Sequence, residues 1–210
     1  MKYELNQIIH ADCMDIMKDI PDKYFELAIV DPPYGIGDFE QGKGKNKKVK
    51  KWEITWNNYI PDEKYFNELK RISVNQIIWG ANYYNCFSIS GGAIVWHKNV
   101  THPDMSKCEI ASVSHFKKVE FCSFEWNGFL RCENEKSCHP CQKPVSLYTW
   151  ILKNYAKPND KIIDTHSGSG SLACACHLEG FDFLAIEKDE DYFKSSVERL
   201  ETLRSQGRLF

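Results

Sequence analysis

Hydrophobic and polar positions follow one another along the chain in patterns that predict strands and helices in turn. Short apolar runs such as FELAIV and KIID are typical of buried strands, and PDEKYFNELKRI and VSLYTWILKNYA have the spacing of amphipathic helices. A glycine-rich turn, SGSG, leads from KIID into the helical segment SLACACHLEG, and the strand FDFLAIE follows. Such alternation predicts βαβ crossovers, so we expect an α/β fold with a doubly wound, mostly parallel sheet covered on both faces.

The middle of the chain departs from this alternation. After the strand pattern NQIIWGANYY come three apolar segments without a helix between them, AIVWHK, EIASVSHF and VEFCSFEW. Consecutive strands joined by short loops usually pair antiparallel. The sequence therefore predicts an antiparallel meander beside the parallel part of the sheet.

Composition describes an ordinary globular chain of 210 residues, 42% of them hydrophobic, with a formal net charge of -2. The length suffices for one good core or two small ones, and the balance excludes a disordered chain and a globally basic nucleic-acid coat protein. No apolar run approaches the roughly 18 residues of a membrane span, and the first residues lack the apolar stretch of a secretory signal. We therefore expect a cytoplasmic protein without a membrane partner.

The nine cysteines are odd in number and irregularly spaced. In a chain without a secretion signal, this pattern predicts reduced thiols. A zinc site is the alternative, built from the CxxC pair Cys138 and Cys141 with His139, Cys132 and Cys122. A structural zinc site usually needs two well-spaced ligand pairs, and only one is present, so we expect no metal.

The segment DTHSGSG, from Asp164 to Gly170, lies between a strand and a helix. A doubly wound sheet holds nucleotide-type ligands at this position, and glycines let the backbone approach them closely. Glu187 ends the next strand, roughly 20 residues beyond Gly168, the spacing at which an acidic side chain meets ribose hydroxyls. The pattern predicts a nucleoside cofactor, either a dinucleotide or S-adenosylmethionine. A plain strand-to-helix turn is the alternative.

The tetrapeptide Asp31-Pro32-Pro33-Tyr34 stands at the carboxyl end of the strand ELAIV. An acid, a rigid turn and an aromatic ring therefore emerge together at the edge of the sheet where ligands bind. A strand terminator with a solvent-facing aspartate is the alternative. The longer string DPPYGIG is far more specific than a proline pair and favours a catalytic site.

Four pieces of the chain together resemble the amino-group DNA methyltransferases that use S-adenosylmethionine. They are DPPYGIG, HPCQKPVSL, DTHSGSGS with Glu187, and the opening stretch HADCMDIMKDIPDKYFELAIVDPPY. With the catalytic tetrapeptide ahead of the cofactor loop, their order resembles the circularly permuted beta group, and several strings resemble small phage and mobile-element adenine methyltransferases. The resemblance implies a seven-stranded Rossmann-like sheet in a single domain over residues 1–210, in the cytoplasm of a bacterium or a phage-infected host.

The resemblance also implies a mechanism. The Asp31 carboxylate and the Pro32 carbonyl accept both hydrogens of the target amino group, Pro33 keeps the turn rigid, and Tyr34 stacks on a base flipped out of the duplex. These contacts localise the nitrogen lone pair, so catalysis is mainly positioning and electrostatics. DPPY favours adenine N6 as the target, and cytosine N4 is the alternative. A catalytically idle DNA-binding relative is the alternative of a different class.

For the cofactor, the resemblance implies that Asp12 contacts the adenine of S-adenosylmethionine and Glu187 its ribose. The methionine end would lie between the glycine turn and the segment from His139 to Ser146. The predicted cofactor-binding residues are Asp12, Cys13, His139, Gln142, Lys143, Ser146, Asp164, His166, Gly168, Ser169, Gly170 and Glu187. Such a pocket requires the two halves of the chain to interleave in one sheet.

Two positions depart from the family pattern. His166 stands where the family usually has phenylalanine, and we expect its ring to fill a similar volume. Cys141 replaces the usual threonine of the HPxQKP motif. The string Pro140-Cys141-Gln142 also matches the nucleophile motif of cytosine-C5 methyltransferases, but DPPY already has the catalytic position. We therefore expect an ordinary thiol at Cys141.

Double-stranded DNA is the predicted partner, and local positive charge must carry its binding because the net charge is slightly negative. We expect two inserts in the domain, a lysine-rich loop at 40–52 and a target-recognition region at about 100–137. The predicted DNA-binding residues are Lys43, Lys45, Lys47, Lys48, Lys50, Lys51 and Arg131. A solvated surface loop is the alternative for the lysines. The short recognition region predicts a short or relaxed recognition sequence, or a homodimer.

Overall fold

A computed structural model describes residues 2–37, 56–84, 91–99, 106–124, 139 and 141–206. The strands are β1 Gln7–His10, β2 Phe25–Val30, β3 Ser73–Trp79, β4 Gly92–His97, β5 Cys108–Val113, β6 Val119–Ser123, β7 Lys161–Asp164 and β8 Asp182–Glu187. The helices are α1 Cys13–Met17, α2 Glu63–Ile72, α3 Val145–Tyr155, α4 Ser171–Glu179 and α5 Glu190–Ser205, with a 3-10 turn at Trp56–Asn58. Within these described ranges no helix is long and apolar enough to cross a membrane.

The strands form one mixed sheet in the order β1-β8-β7-β2-β3-β5-β4-β6. In this order the first five strands, from β1 across to β3, are all parallel to their neighbours. The α/β class and the largely parallel sheet are therefore confirmed. The predicted interleaving is confirmed as well, because β1 and β2 from the start of the chain flank β8 and β7 from its end.

The far end of the sheet differs from the prediction. Eight strands are described where seven were expected, and the antiparallel meander is wrong: β5 lies between β3 and β4, and β6 runs parallel to β4. The connection from β5 to β6 crosses the start of β4, where a Cβ added to Gly92 would lie 2.1 Å from the Phe116 carbonyl oxygen. Only glycine permits this crossing, which brings β6 beside β4.

Alternating side chains of the central strands supply two apolar cores, one on each face of the sheet. Leu27 and Ile29 of β2 belong to the core that includes residues of α3, α4 and α5, whereas Ala28 and Val30 belong to the core that includes residues of α1 and α2. Successive residues of a strand point to opposite faces, so a strand buried on both is apolar throughout. Each fully buried Leu or Ile contributes roughly 1.5–3 kcal/mol, and the helices cover both faces as predicted.

Candidate active site and cofactor cleft

Four neighbouring parallel strands each bring an acidic residue to the same edge of the sheet. Along the sheet these are Asp12 after β1, Glu187 at the end of β8, Asp164 at the end of β7, and Asp31 after β2. Ligands of open α/β sheets bind outside the carboxyl ends of the strands. The structure thus brings together the four acidic residues that the sequence singled out, although they come from opposite ends of the chain.

The glycine turn after β7 is held by Glu187. Gly168 and Gly170 have φ angles of 51° and 72°, which favour glycine, and the Gly168 amide donates to Glu187 Oε2 at 2.6 Å. The other carboxylate oxygen accepts from the Asp189 amide at 2.8 Å, just before α5. Burial raises the pKa of the Glu187 carboxyl group. One side chain therefore connects the turn to the end of β8.

The segment that contains the HPxQKP motif packs directly on this turn. A Cβ added to Gly168 would lie 3.5 Å from the His139 ring, and that ring is 4.3 Å from the ring of Tyr192 on α5. Ser171 Oγ, at the start of α4, donates to the Lys143 carbonyl at 2.7 Å. Burial, with the nearby Lys143 ammonium, lowers the pKa of His139 to about 3, so its ring is neutral at physiological pH.

Asp164 is buried beside the turn and accepts a hydrogen bond from the His166 amide at 3.1 Å. Burial, with the carboxylates of Asp31 and Glu187, raises the pKa of Asp164 to about 8 despite that hydrogen bond. A neighbouring cation would favour the ionised form of such a carboxyl group. The acidic edge is therefore suited to a ligand that carries positive charge.

His166 has polar partners that a phenylalanine could not use. Its Nδ1 lies 3.0 Å from Thr165 Oγ1 and 3.5 Å from the Tyr65 hydroxyl, and those two hydroxyls are 2.7 Å apart. Burial lowers the pKa of His166 to about 4, so the ring is neutral. Histidine in place of the usual phenylalanine therefore keeps an aromatic ring at this position and adds a nitrogen with polar partners.

In the DPPY turn, donors already contact both groups that are predicted to accept the target amino hydrogens. The Tyr34 hydroxyl donates to Asp31 Oδ1 at 2.5 Å, and the Lys143 ammonium contacts Asp31 Oδ2. The Tyr84 hydroxyl donates to the Pro32 carbonyl at 2.9 Å. A carbonyl oxygen has two lone pairs, so Pro32 retains one for a ligand.

Aromatic residues after β3 surround the Tyr34 ring. Tyr34 stacks on Tyr83 with ring centroids 4.9 Å apart and meets Tyr84 edge-on at 6.3 Å. A Cβ added to Gly80 would lie 2.1 Å from Tyr34 Cε1, so this approach requires glycine. No role was predicted for these residues from the sequence. The run WGANYY after a strand was the signal that could have found them.

Lys143, predicted among the cofactor residues, lies next to the DPPY turn. Its side chain is 4% exposed, and its ammonium lies 3.0 Å from Glu109 Oε2 as well as contacting Asp31. Glu109, on β5, also contacts the Lys98 ammonium. Glu109 and Lys98 were not predicted from the sequence, because charged residues in a predicted strand give no sign that they will be partly buried and paired.

Comparison with known proteins identifies the family. A family model described as DNA methylase matches residues 77–198, more than half of the chain. The chain belongs to the DNA methylase family. The type II methyltransferase M.HinfI of Haemophilus influenzae is 23% identical, across 95% of this chain and 69% of the relative. M.ScaI of Streptomyces caespitosus is 22% identical, across 95% of this chain and 83% of the relative.

Solved structures show the same fold. The complex of M1.HpyAVI with S-adenosylmethionine matches the methylase with a TM-score of 0.60 and 23% identity, covering 92% of this chain and 99% of that one. The cytosine-N4-specific PvuII DNA methyltransferase matches with a TM-score of 0.61 and 11% identity, covering 98% and 95%. The mixed sheet of the methylase is therefore a methyltransferase fold.

Of the remaining predicted residues, those for the cofactor are described by the structure and those for DNA are not. Asp12 caps α1 by accepting from the Met14 amide at 2.9 Å and pairs with Lys188 at the same distance, and burial raises the pKa of Cys13 to about 12. Gln142 and Ser169 are buried, and the buried Ser146 hydroxyl has no hydrogen-bond partner within the described ranges. All seven predicted DNA-binding residues lie outside the described residues: Lys43, Lys45, Lys47, Lys48, Lys50, Lys51 and Arg131.

The suggested zinc ligands are similarly divided. Cys132 and Cys138 lie outside the described residues, whereas burial raises the pKa of Cys141 to about 12 and that of Cys122 to about 12. In the part of the methylase that the structure describes, no group of three His, Cys, Asp or Glu side chains could hold a metal ion.

Proposed function

We propose that this methylase transfers a methyl group from S-adenosylmethionine to the exocyclic N6 of adenine in double-stranded DNA. The observation that carries the proposal is the sheet edge on which the Asp31 carboxylate and the Pro32 carbonyl follow β2, next to the glycine turn after β7. The base-accepting groups and the turn that would hold the cofactor are therefore neighbours. The position of the catalytic turn ahead of the glycine turn supports the circularly permuted beta group.

The residues of the acidic edge fit S-adenosylmethionine, which supplies an electrophilic methyl group when bound. Its sulfonium and ammonium groups are cationic, and the buried Asp164 carboxyl offers a site where positive charge is favourable. Glu187 would accept from the ribose hydroxyls, Asp12 would contact the adenine, and Gly168 and Gly170 leave room at the turn. M1.HpyAVI, which shares the fold, was solved with this cofactor.

At the catalytic turn, the target amino group would take the place of the Tyr34 hydroxyl on Asp31 Oδ1. Its second hydrogen would go to the free lone pair of the Pro32 carbonyl, which the Tyr84 hydroxyl holds in position. Both hydrogen bonds localise the lone pair of the nitrogen and aim it at the methyl carbon. Asp31 is also the nearest acceptor for the proton that the nitrogen must lose. Because a stacked base cannot reach this turn, base flipping is required.

The choice of adenine rests on the aspartate that begins DPPY, which usually accompanies N6 transfer in the family that the sequence resembles. Cytosine N4 is the second candidate, because the PvuII enzyme with the same fold is cytosine-N4-specific. The type II relatives M.HinfI and M.ScaI support a role in restriction and modification. A phage or mobile-element origin remains part of the proposal.

DNA contacts are proposed from the sequence. The lysine-rich loop at 40–52 and Arg131 would neutralise phosphates, and a homodimer could add contacts from a second subunit. Each lysine that neutralises a phosphate should contribute about 0.9 to the slope of log affinity against log salt. Replacement of Lys47 and Lys48 by glutamine should therefore reduce the slope by about 2 without affecting the affinity for S-adenosylmethionine.

One experiment tests the proposal. The methylase is incubated with tritiated S-adenosylmethionine and unmethylated genomic duplexes, and the DNA is digested to nucleosides and separated. Label in N6-methyldeoxyadenosine is expected, and Asp31→Ala, which leaves the glycine turn intact, serves as the inactive control. Label in N4-methyldeoxycytidine would refute the choice of adenine. No label with any of several genomes would refute the proposed activity.

A further inference from the structure

A row of four charged side chains runs from the catalytic turn to the far end of β4. It consists of Asp31, Lys143, Glu109 and Lys98, so that acidic and basic groups alternate. The Lys143 side chain is 4% exposed, those of Asp31 and Glu109 are 19% exposed, and that of Lys98 is 15% exposed. We call these four residues the charge row.

Lys143 and Glu109 retain their charges because each has two partners of opposite sign. Burial opposes the charge of Lys143, but the carboxylates of Asp31 and Glu109 outweigh burial and raise its pKa. Burial likewise opposes the charge of Glu109, but the ammonium groups of Lys143 and Lys98 lower its pKa to about 2. Removal of one member would leave its neighbour charged, buried and only partly compensated.

Each of the two carboxylates in the charge row contacts two different groups, one through each oxygen. Glu109 Oε1 contacts Lys98, and Oε2 forms an ion pair with Lys143 at 3.0 Å that lacks hydrogen-bond geometry. Asp31 Oδ2 accepts from Lys143, and Oδ1 accepts from the Tyr34 hydroxyl. The Lys143 ammonium also donates to the Tyr34 hydroxyl at 3.3 Å. The two hydrogen bonds of the Lys143 ammonium, to Asp31 Oδ2 and to the Tyr34 hydroxyl, thus help to fix which oxygen of Asp31 faces the site of the target amino group.

We propose that Glu109 is a positioning residue for methyl transfer, which holds the Lys143 ammonium on Asp31 Oδ2 so that Oδ1 stays directed at the target nitrogen. This inference rests on the proposed function, because it assigns Asp31 to the acceptance of the amino hydrogen. Lys98 has a supporting part, since it occupies the other oxygen of Glu109 and so sets the direction of Oε2.

Simple structural stabilisation does not account for the charge row. Buried ion pairs are often no more stabilising than well-packed apolar side chains, because the cost of desolvation offsets the attraction. Glu109 reaches the catalytic turn across β3, and the Lys143 ammonium lies over the Trp79 ring at 5.3 Å from its centroid. A chain of charges that ends on the Asp31 carboxylate is instead suited to fixing that carboxylate in one orientation.

Glu109→Gln tests the proposal, because it removes the charge and keeps the shape. Misplacement of a reacting group by about 1 Å costs on the order of 100-fold in rate. We expect kcat to fall about 10- to 100-fold, while KM for S-adenosylmethionine changes less than about 2-fold. Loss of one carboxylate should also lower the pKa of Lys143, so kcat of the variant should fall at alkaline pH while that of the wild type does not.

Matched variants separate positioning from stability. Glu120→Gln removes another strand glutamate that is paired with a lysine, on β6 and away from the turn, and should leave kcat and its pH profile unchanged. Glu109→Asp retains the charge and should not show the alkaline loss. If Glu109→Gln fails to fold, Lys98→Met takes its place, with an expected fall in kcat of about 3-fold from a less fixed Glu109.

The outcomes are distinguishable. Wild-type transfer together with a Glu109→Gln variant of unchanged kcat and pH profile would overturn this inference and leave the proposed function intact. For a Glu109→Gln variant that does not fold, unchanged kcat in Lys98→Met would have the same meaning. Absence of transfer by the wild type would overturn the proposed function and this inference with it. A fall in kcat with the new alkaline loss supports both.

Discussion

The parallel half of the sheet and its mixed end contribute to the site in different ways. In the parallel half, which comprises β1, β8, β7 and β2 in sheet order, each acidic side chain stands at or just after the end of its own strand. It reaches the ligand edge by local geometry. In the mixed end, which comprises β3, β5, β4 and β6, the contribution is indirect. The aromatic run after β3 packs on Tyr34, and Glu109 and Lys98 act on the catalytic turn through Lys143. In the proposed mechanism, the first region supplies the reacting groups and the second determines how they are held.

The largest effect should come from the parallel half, by replacing its reacting carboxylate. Asp31→Asn keeps the shape but offers an amide that cannot accept a proton and pairs poorly with the Lys143 ammonium. We expect transfer to fall by at least about 1,000-fold, as for the loss of a preorganised electrostatic contact, with binding of S-adenosylmethionine retained. Single-turnover kinetics would measure the rate of transfer, and calorimetry would measure the binding of S-adenosylmethionine. A variant that keeps most of the wild-type rate would contradict the role of Asp31.

A test at the boundary between the regions should give the next largest effect. Gly80 has a φ of 70°, and the Cβ of Gly80→Ala would lie 2.1 Å from Tyr34 Cε1. Displacement of Tyr34 should lower kcat about 100-fold, because a small misplacement at the reacting centre has an effect of this size. The affinity for S-adenosylmethionine should stay within about 2-fold, since the glycine turn is on other strands.

The matched control for this variant is Gly91→Ala. Gly91 has a φ of 97°, and among the described residues no heavy atom lies within 4 Å of an added Cβ. Both variants therefore carry backbone strain, of roughly 1 kcal/mol or more, but only Gly80→Ala displaces Tyr34. An equal loss of kcat in both variants would show that strain alone explains the effect, and the wall formed by Tyr34, Tyr83 and Tyr84 would have no catalytic part.

Two acids, the buried Asp164 and the partly buried Glu109, should change stability with pH in opposite directions. The pKa of Asp164 rises from about 3.9 unfolded to about 8 folded, so the folded state holds a proton that the unfolded state has lost. Stability then falls as pH rises from about 4 to about 8. The pKa of Glu109 falls from about 4.3 unfolded to about 2, so its stabilising contribution is present above about pH 4.3 and is lost as pH falls towards 2.

At pH 8 the variants Asp164→Asn and Glu109→Gln should therefore differ in sign. Asp164→Asn should raise the melting temperature of the cofactor-free methylase by about 5 °C, roughly 1–2 kcal/mol, and Glu109→Gln should lower it by a similar amount. At pH 5 the gain for Asp164→Asn should be smaller. Differential scanning calorimetry at both pH values measures these shifts. Two shifts of the same sign would refute the contrast between an uncompensated acid and a paired one.

The parallel half was predictable because its signals are short in range. An apolar run followed by Asp31, and another followed by Asp164 and glycines, each locate a strand end and a loop without any knowledge of the rest of the chain. The interleaving of the two halves was predicted from the family resemblance, which implies that acidic residues from both ends of the chain share one pocket. The mixed end lacked such signals.

The strand order and the charge row depend on contacts that no local pattern reveals. Gly92 looks like any glycine at the start of a strand, yet it allows the β5–β6 connection to cross β4. Glu109 is partly buried, and it meets both Lys143 and Lys98 because β5 lies between β3 and β4. Lys143 itself was singled out by its motif, but its direction towards Asp31 depends on packing across the sheet.

The smallest effect is expected at His166, where the parallel half tolerates an atypical residue. His166→Phe restores the ring usual in the family and removes the contact of Nδ1 with the Thr165 hydroxyl at 3.0 Å. We expect a loss of about 1 kcal/mol in stability, the size of one hydrogen bond, and a change of less than about 3-fold in affinity for S-adenosylmethionine. Tyr65→Phe, which removes the other hydroxyl near Nδ1, should have a similar effect on stability.

A loss of affinity above about 10-fold in His166→Phe but not in Tyr65→Phe would mean that the imidazole contacts the cofactor through its other nitrogen. The parallel half would then hold its ligand by a polar group that the usual phenylalanine cannot supply.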